Sequence, residues 1–571
     1  MKKLLSYLKG YRLDCVLGPV LKLMEAALEL AVPFFILKIT NIGIVNGDRK
    51  YILTLMGILI VMGFGGLVFS VSAQYFCARA ACGFGAKVRE ALYGKIFTLS
   101  FDRLDDMGAS GIITRMTGDT DQVQNAVNLS LRLLLRAPVI VFGALVLAFT
   151  VNAKGALVFC VMIPLLAAVI FAVRLTTSPL HRKIRAELDG MTQITRENLS
   201  GTRVIRALCR EGGENARFSA AAVRLEKMQD RAGVISSLLN PLTYVIVNLS
   251  IVALIFVGGR LSEKSLITAG EILALYNYMT QILFELVKLA NLIITVTRGE
   301  VCGKRITAVL ECRGTQEVAD DNGGDGPFLQ FDDVSFSYHK GSPPAVSHVS
   351  FSAEKGEKIG IIGGTGSGKT TVAALLCRFY DPDDGKITVR GRDVLSCDPD
   401  ELRASFGIVL QKAELFSGTV RSNVTYGAPG ISDEETNAAL ETAQAAEFVS
   451  DMPLGLDSPV EQGGRNLSGG QRQRISVARA LAKKPDILIL DDSASALDYM
   501  TELKLRRGIA ALDPAPAVII ISQRVSSVRN CDRILVLDEG RVCGLGTHDA
   551  LYDDCPEYRE ICDTQTRRAQ A

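Results

Sequence analysis

The chain has almost no net charge and no paired cysteines, and each absence excludes a class of protein. Its 63 Lys and Arg residues and 61 Asp and Glu residues give a net charge of +2. A nucleic-acid-binding surface needs a clustered basic excess, so the composition predicts no nucleic-acid partner. The 13 cysteines are scattered singly, without a CxxC pair, and therefore indicate neither a zinc site nor a disulfide framework.

Charged residues are also scarce for a soluble protein of this size. Only 22% of the residues are charged and 48% are hydrophobic, whereas a soluble surface needs more charge than that. The composition therefore implies a membrane component. At 571 residues the chain is too long for one hydrophobic core, and two or three domains are expected.

Long apolar runs lie in the first half of the chain. A helix needs about 20 residues to cross the hydrocarbon layer of a bilayer. Six stretches meet that length approximately: Leu13–Ile39, Tyr51–Ala73, Leu133–Val151, Gly155–Val173, Val234–Val257 and Ile272–Val296. The two long gaps between them are rich in Lys and Arg and carry helix-spaced apolar residues, so we expect cytosolic helical extensions and both termini in the cytosol.

The composition changes after the sixth span. Residues 311–326 are rich in Gly and Asp and read as a linker between a transmembrane domain at 1–310 and a second domain at 327–571. The second domain continues as strand, Gly-rich loop and helix, which is the order of an α/β nucleotide-binding core. We therefore expect a membrane all-α domain of six transmembrane helices, followed by an α/β P-loop domain. Because no organellar transit segment precedes the first span, we expect the plasma membrane of a bacterium.

The Gly-rich loop has the form of a phosphate-binding loop. Lys358 to Ile362 reads as a short strand, and a helix is expected from Lys369 through Leu376. Backbone N–H groups of such a loop face a phosphate, Lys369 offers a charge to the β and γ oxygens, and Thr370 offers a hydroxyl to Mg²⁺. The predicted nucleotide-binding residues of this loop are Gly363, Gly364, Thr365, Gly366, Ser367, Gly368, Lys369, Thr370 and Thr371.

Two further motifs follow in the second domain. The run from Pro485 to Asp492 reads as a buried strand that delivers Asp491 to the Mg²⁺ of bound nucleotide, with Asp492 facing the attacking water. The LSGGQ motif places Ser468, Gly469, Gly470 and Gln471 before another helix, which is a second anion-binding N-terminus. Since the first loop already binds this chain's phosphates, the second site indicates a nucleotide held by another copy of the domain.

These motifs resemble those of ATP-binding cassette (ABC) exporters of the half-transporter type, and the resemblance covers nearly all 571 residues. It implies a dimer in which each ATP and its Mg²⁺ lie between one chain's phosphate loop and the other chain's LSGGQ. It implies that Tyr338 stacks on adenine, that Gln411 senses Mg²⁺ and that Asp498 crosses the dimer. Residues 100–119 and 196–211 resemble the two cytosolic segments that couple the nucleotide domains to the membrane domain, the second pressing on the partner's.

The chain departs from the resemblance at the two catalytic positions. Competent members carry Glu where this chain has Asp492, and His where it has Gln523. A carboxylate withdrawn by about 1 Å can cost about a hundredfold in rate, and Gln has no titratable proton near neutrality. Such paired losses resemble the degenerate subunit of a heterodimeric, multidrug-type exporter whose partner keeps Glu and His. A homodimer with two slow sites is the alternative.

Charged residues within the apolar spans leave two interpretations open. Lys22, Glu25 and Glu29 share a stripe of the first span, and Glu285 with Lys288 shares a face of the sixth. They could form a polar lining that meets cationic or amphipathic cargo. Alternatively, they pair helix to helix or snorkel toward the cytosol, which is the interpretation that we favour. Export is the leading function. An ATP-gated regulatory or channel-like protein and an importer of a chelate are the alternatives.

Overall fold

The computed structural model describes residues 3–264, 266–312, 327–339, 341–493 and 496–570, with side chains as far as 565 in the last range. Contacts divide the chain into two units. The helical unit comprises Met1–Phe97 and Ser110–Cys312, and the α/β unit comprises Thr98–Ala109 and Arg313–Ala571. The predicted linker at residues 311–326 begins at the end of the helical unit, and its residues 313–326 lie outside the described ranges.

Helices build the helical unit, and most of them are long. After a 3₁₀ segment at Leu4–Tyr11, they are α1 (Arg12–Lys38), α2 (Arg49–Ile96), α3 (Phe101–Thr114), α4 (Thr120–Leu133), α5 (Arg136–Val151), α6 (Ala153–Ser200), α7 (Thr202–Ala207), α8 (Glu211–Ser237), α9 (Leu239–Glu263) and α10 (Ala269–Glu311). The first part of α3 belongs to the α/β unit. Short π-helical segments lie at Ile39–Ile44 and Arg115–Asp119. At 1.5 Å per residue, the 48-residue helices α2 and α6 are more than twice as long as the bilayer core is thick, so the predicted helical extensions are confirmed. Their position on the cytosolic side stays a prediction.

Five helical stretches of the described chain are long and apolar enough to cross a membrane. They are Arg49–Ile96, Phe101–Val151, Ala153–Ser200, Glu211–Glu263 and Ala269–Glu311. The first predicted span forms α1, a helix of 27 residues, but is not among the five. Its charged residues explain the difference, since Lys22, Glu25 and Glu29 interrupt its apolar run. The sixth membrane span therefore stays a prediction.

Helix α3 is broken at Gly108, where the chain passes from one unit to the other. Gly108 has φ 62° and ψ 155°, a conformation that non-glycine residues rarely adopt. The residues before it, Thr98–Ala109, group with the α/β unit, and those after it group with the helical unit. We call Thr98–Ala109 the 98–109 segment.

The described residues of the α/β unit form three sheets. Its strands are β1 (Leu329–Phe336), β2 (Val346–Ala353), β3 (Lys358–Gly363), β4 (Asp384–Val389), β5 (Arg392–Asp393), β6 (Phe406–Val409), β7 (Gly418–Thr419), β8 (Pro459–Val460), β9 (Ile487–Asp491), β10 (Ala517–Ser522), β11 (Arg533–Asp538) and β12 (Arg541–Gly546). The main sheet has the order β12-β11-β3-β10-β9-β6 and is parallel except at β12. An antiparallel sheet has the order β2-β1-β4-β5, and β7 pairs with β8.

Helices pack around these sheets. They are α11 (Lys369–Leu376), α12 (Pro399–Ala404), α13 (Val420–Val424), α14 (Asp433–Thr442), α15 (Ala446–Ser450), α16 (Gly469–Ala482), α17 (Tyr499–Ala510), α18 (Val525–Val528), α19 (His548–Asp554) and α20 (Pro556–Gln570). Strands β3, β9 and β10 are apolar and almost fully buried, as expected for parallel strands covered on both faces. They lie side by side, so the residues that follow them meet at one edge of the sheet. Ligands of open parallel sheets bind at this carboxyl edge.

Candidate nucleotide-binding site

The predicted phosphate loop leaves β3 and enters α11, as the sequence indicates. Lys369 is the first residue of α11 and is 8% exposed. Its ammonium donates to the carbonyl oxygens of Gly363 at 3.0 Å and Gly364 at 2.5 Å and to Ser367 Oγ at 3.1 Å. Burial lowers the pKa of Lys369, and the charges of the nearby Asp491 and Asp492 carboxylates partly offset this decrease. The loop thus folds around a buried cation whose hydrogen bonds go to neutral oxygens.

Glycine is required where this loop turns into the helix. Gly368 caps α11 with φ 94°, and a Cβ at this position would lie 2.6 Å from the carbonyl oxygen of Ala345. A side chain on the neighbouring Gly364 or Gly366 would meet open space instead. The loop is therefore packed against the protein at one end and open in the middle. That arrangement fits a ligand with several anionic oxygens, because the backbone can approach it closely.

Asp491 ends β9 beside the loop. It is 2% exposed, and the hydroxyl of Thr370 is 3.5 Å from its Oδ1. Burial raises the pKa of Asp491, and the neighbouring Asp492 adds to this, while Thr370 and Lys369 oppose it. A hard cation placed between this carboxylate and the Thr370 hydroxyl would find the oxygen ligands that Mg²⁺ prefers.

Asp492 follows directly and has an unusual backbone. Its φ is 44°, and its N–H donates to the carbonyl oxygen of Ile521 in the adjacent strand β10 at 2.8 Å. Burial raises the pKa of Asp492, while the cation of Arg524, a hydrogen bond from Gln411 and the charge of Lys369 act in the opposite direction. The hydrogen bond places the predicted magnesium-sensing residue, Gln411, against the predicted catalytic carboxylate.

Gln523 and Tyr338 lie at two further sides of the site. Gln523 follows β10 and is exposed; its carbonyl oxygen accepts from Gln565 Nε2 at 2.7 Å, and Gln565 Oε1 accepts from the N–H of Val525 at 2.9 Å. Tyr338 follows β1 and is 44% exposed, with its hydroxyl 3.1 Å from Thr371 Oγ1. The amide of Gln565, a residue of α20, therefore holds the backbone on both sides of Arg524.

A cavity of about 320 Å³ joins these residues. Its lining includes Tyr338, Ala345, Thr365, Gly366, Ser367, Gly368, Lys369, Thr370, Thr371, Gln411, Asp491, Asp492, Ile521, Ser522 and Gln523. The volume is at the lower end of the range for small-molecule sites, and the lining combines one cation, two carboxylates and many neutral donors. It suits a phosphorylated ligand accompanied by a divalent cation.

The LSGGQ motif and Asp498 do not line this cavity. Ser468 caps α16: its Oγ accepts from the N–H of Gln471 at 3.2 Å, and its own N–H donates to Gln471 Oε1 at 2.9 Å. Asp498 caps α17 by accepting from the N–H of Thr501 at 3.0 Å. Ser468 and Gly469 are exposed. The structure thus brings together the loop, the two carboxylates, Gln411, Gln523 and Tyr338, and leaves both caps at other surfaces.

Charged residues of the predicted spans form one set of ion pairs in the helical unit. Arg136, on α5, donates to Glu285 Oε1 of α10 and to Glu29 Oε2 of α1, both at 2.6 Å. Lys22 donates to Glu25 Oε2 at 2.5 Å. We call the six residues the ion network: Lys22, Glu25, Glu29, Arg136, Glu285 and Lys288.

The ion network balances three bases against three acids and joins three helices. Its centre is buried, since Arg136 is 6% and Glu285 is 2% exposed. Lys288 completes it from a more exposed position by donating to Glu285 Oε1 at 2.7 Å. Helix-to-helix pairing, the interpretation favoured from the sequence, is therefore what the structure contains.

Two residues of these sites escape sequence reasoning. Arg136 lies near the start of an apolar run, and its partners are 107 and 149 residues away in the chain. The signal that could have found it is an arginine inside a predicted span, which needs an acidic partner. Gln565 carries no such signal, because its role depends on where α20 packs.

Comparisons with known proteins agree with this architecture. Residues 15–286 match the family described as ABC transporter transmembrane region, and residues 346–495 match the family described as ABC transporter. The uncharacterized ABC transporter ATP-binding protein YfiB of Bacillus subtilis is 35% identical over 576 residues, spanning 100% of this chain and 99% of the relative. An ATP-dependent lipid A-core flippase of Chromobacterium violaceum is 29% identical over 581 residues, spanning 100% of this chain and 98% of the relative.

A solved structure has the same fold. The structure of a bacterial Atm1-family ABC exporter with ATP bound superimposes with a TM-score of 0.82 at 26% identity, covering 97% of this chain and 98% of that one. ABC exporters of this type act as transport-coupled ATPases in the membrane, working with a second half-transporter. By its matched domains, its full-length relatives and this fold, the chain belongs to the ABC transporter family, as an exporter.

Proposed function

We propose that this chain is one half of a heterodimeric exporter and that its own ATP site hydrolyses slowly. The observation that carries the proposal is the composition of the cavity. It contains a complete set of phosphate and Mg²⁺ groups but has Asp492 and Gln523 at the two positions that speed hydrolysis. The chain's LSGGQ motif is intact and lies outside that cavity.

Binding of ATP is assigned to the loop and its neighbours. Lys369 is buried without a neutralising hydrogen-bond partner in the described chain, so an anionic triphosphate supplies the charge it lacks. Tyr338 offers a half-exposed ring to adenine. Thr370, Asp491 and Gln411 are proposed to hold Mg²⁺, which when bound would neutralise charge on the phosphate oxygens. The fold of an exporter solved with ATP bound supports this assignment.

Slow hydrolysis follows from the reach of Asp492. Its carboxylate is one methylene shorter than a glutamate and already accepts a hydrogen bond from Gln411. A general base must lie within hydrogen-bond reach of the proton it takes, and about 1 Å of withdrawal can cost about a hundredfold. The raised pKa of Asp492 does not compensate, because geometry comes before basicity.

Gln523 weakens the same step in a different way. Its amide can donate a hydrogen bond to a phosphate oxygen, but unlike histidine it has no group that titrates near neutral pH. The hydrogen bond from Gln565 Nε2 holds the backbone carbonyl of Gln523 in place. The lower hydrolysis rate therefore follows from the chemistry of the Gln523 side chain and not from a displaced backbone. Both catalytic groups of one site are therefore impaired.

The intact LSGGQ motif supports a role in a partner's ATP site. Its capping box is complete, and the residues at the positive end of α16 are not among those that line the cavity of its own chain. We infer that it completes the partner's ATP site, where Glu and His carry out rapid hydrolysis. Asp498, at the N-terminus of α17, is proposed to contact the partner in the same interface.

The transported molecule is proposed to be small and amphipathic. Relatives from Chromobacterium violaceum and Vibrio cholerae are named ATP-dependent lipid A-core flippases, which act on an amphipathic molecule by their name. We place the protein in the bacterial plasma membrane with both termini in the cytosol.

Restoring the two catalytic side chains tests the proposal. We expect the purified full chain in lipid nanodiscs, without its partner, to hydrolyse ATP slowly. The double variant Asp492→Glu with Gln523→His should turn over about a hundredfold faster, because it recovers both the reach and the titratable proton. Steady-state phosphate release measures both rates.

A third substitution serves as the control. Adding Ser468→Arg to the double variant should abolish the gain, because the restored site would still need a facing LSGGQ motif. If the unaltered chain alone hydrolyses ATP as fast as the double variant, the degenerate-site proposal is wrong. If the gain survives Ser468→Arg, the composite site is wrong instead.

A further inference from the structure

A chain of aromatic contacts runs from the proposed adenine platform to the 98–109 segment. The ring of Tyr338 lies edge-on to the ring of Tyr380, with centroids 5.2 Å apart and planes at 85°. Tyr380 in turn lies 6.3 Å from the ring of Phe101. Phe379 packs more closely on Phe101, at 4.7 Å. All four rings belong to the α/β unit, whose boundaries include the 98–109 segment.

Hydrogen bonds reinforce this series of aromatic contacts on both sides. The hydroxyl of Tyr380 donates to the carboxyl oxygen Oδ2 of Asp105 at 2.6 Å, which is short for a hydrogen bond between two oxygens. The hydroxyl of Tyr338 is paired with Thr371 Oγ1, next to the phosphate loop. Burial, followed by the bond to Asp105, raises the pKa of Tyr380 above its ordinary value. The phenol therefore stays protonated and remains a donor to Asp105 at neutral pH.

The backbone that carries Tyr380 is firmly held. Arg378 is fully buried and donates to Asp381 at 3.1 Å and to the carbonyl oxygen of Cys397 at 2.8 Å. Asp383 accepts from the N–H of Ser337 at 2.7 Å, beside Tyr338 itself. With the backbone fixed on both sides, a change in the tilt of either neighbouring side chain acts on the Tyr380 ring rather than being absorbed by the loop.

We propose that Tyr380 is a positioning residue that links occupancy of the base platform at Tyr338 to the 98–109 segment. The inference rests on the proposed role of Tyr338 in binding adenine. It adds that a base bound at Tyr338 stabilises the 98–109 segment independently of the phosphates. Binding linkage is reciprocal, so a displacement of the segment also changes the affinity for the base. A ligand that fills the phosphate loop but has no base does not engage this link.

Hydrogen exchange of the 98–109 segment tests the link. The full chain in nanodiscs is compared with saturating MgATP and with saturating magnesium tripolyphosphate, which lacks a base. We expect MgATP to slow exchange of the segment about threefold more than tripolyphosphate does, the scale of one hydrogen bond's net contribution. Tyr380→Phe keeps the ring, removes the donor and should abolish this difference. Asp105→Ala should do the same, and the double variant should do no more than either alone.

Two matched variants give the comparison its controls. Asp105→Asn keeps an acceptor for Tyr380 and should retain most of the difference. Tyr552→Phe removes a chemically similar bond, from the Tyr552 hydroxyl to Asp563 at 3.0 Å, far along the chain in α19 and α20, and should leave the difference unchanged. A purely structural role for Tyr380 would alter exchange equally with both ligands.

Failure of the link and failure of the base platform give different results. If Tyr338→Ala weakens MgATP but not tripolyphosphate, while Tyr380→Phe leaves the difference in exchange intact, the link is wrong and the platform stands. If Tyr338→Ala leaves the affinity for MgATP unchanged, both are wrong. Equal protection by the two ligands in the unaltered chain would also overturn the link.

Discussion

Two groups of buried charge in this chain are arranged in opposite ways. In the nucleotide pocket, the hydrogen bonds that the Lys369 ammonium makes within the described residues all go to neutral oxygens. In the ion network, Arg136 is bonded to two carboxylates, and every other member has an oppositely charged partner. The nucleotide pocket leaves the Lys369 cation available to an anionic ligand, whereas the charges of the ion network neutralise one another.

The difference distinguishes a ligand site from a structural pair. Burying a cation beside neutral acceptors is unfavourable, which is why the pKa of Lys369 is lowered, and a bound anion relieves that cost. A buried ion pair has already recovered much of its desolvation energy from its partner and gains little from a ligand. Removing a charge should therefore impair binding in the first site and folding in the second.

Replacing Arg136 should have the largest effect. Arg136→Met leaves Glu29 and Glu285 without their shared cation. Breaking a buried pair by removing one partner typically costs about 3–5 kcal/mol. We expect a loss of stability of that size, measured by unfolding of the full chain in detergent micelles, with ATP affinity unchanged once the protein is folded.

An exposed arginine provides the control for this prediction. Arg89 pairs with Asp121 at 2.5 Å, but the two side chains are 38% and 59% exposed. Arg89→Met should cost at most about 1 kcal/mol, as exposed pairs do. If Arg136→Met costs no more than Arg89→Met, the ion network contributes little to stability, and the comparison between the two sites fails.

Replacing Lys369 should affect binding and spare folding. Within the described chain, Lys369 makes its hydrogen bonds to neutral oxygens and acts on the carboxylates of Asp491 and Asp492 only through its charge. Lys369→Met therefore breaks no hydrogen-bonded ion pair, and the nucleotide-free stability should change by less than about 1 kcal/mol. The stabilisation by ATP should largely disappear. At a concentration a hundred times the dissociation constant, that stabilisation is about 2.7 kcal/mol for the unaltered protein.

Lys483 is a close match for Lys369 outside the pocket. Its ammonium donates to the carbonyl oxygens of Arg403 at 2.5 Å and Phe406 at 2.9 Å, and burial lowers its pKa as well. Lys483→Met should therefore keep the full stabilisation by ATP. The stabilisation by ATP is measured as the shift of the unfolding midpoint on adding ATP, for the unaltered protein and for the Lys369→Met and Lys483→Met variants. Equal stabilisation of the Lys369 variant would mean that the loop does not hold the phosphates.

These two sites also differ in how much of them the sequence could predict. The phosphate loop is local: strand, loop and helix are consecutive, so Lys358–Gly363 and Lys369–Leu376 form as expected. Asp491 follows from the same logic at the end of β9, which lies two strands from β3 in the sheet, with β10 between them. The meeting of Gln411 with Asp492 depends on which strands are neighbours, which the sequence alone does not show.

The ion network depends on contacts between distant helices. The charges of α1 and α10 are recognisable in the sequence as costly to bury. That Arg136 joins them is not, because its partners are 107 and 149 residues away in the chain. The same charges keep α1 out of the set of clearly membrane-spanning helices. The link through Tyr380 escaped for a similar reason, since Asp105 is 275 residues away in the chain.

The smallest effect is expected at Lys288, and it decides which cation neutralises Glu285. Lys288 and Arg136 both donate to Glu285 Oε1, but the side chain of Lys288 is 46% exposed and that of Arg136 is 7% exposed. Lys288→Met should therefore cost less than about 1 kcal/mol of unfolding free energy, because Glu285 keeps its buried partner. Lys304→Met is the control on the same helix, since Lys304 pairs with Glu300 at 3.1 Å with 71% and 50% exposure. A loss as large as that of Arg136→Met would mean that the exposed lysine carries the pair, and exposure would then be a poor guide to which charges stabilise this helical unit.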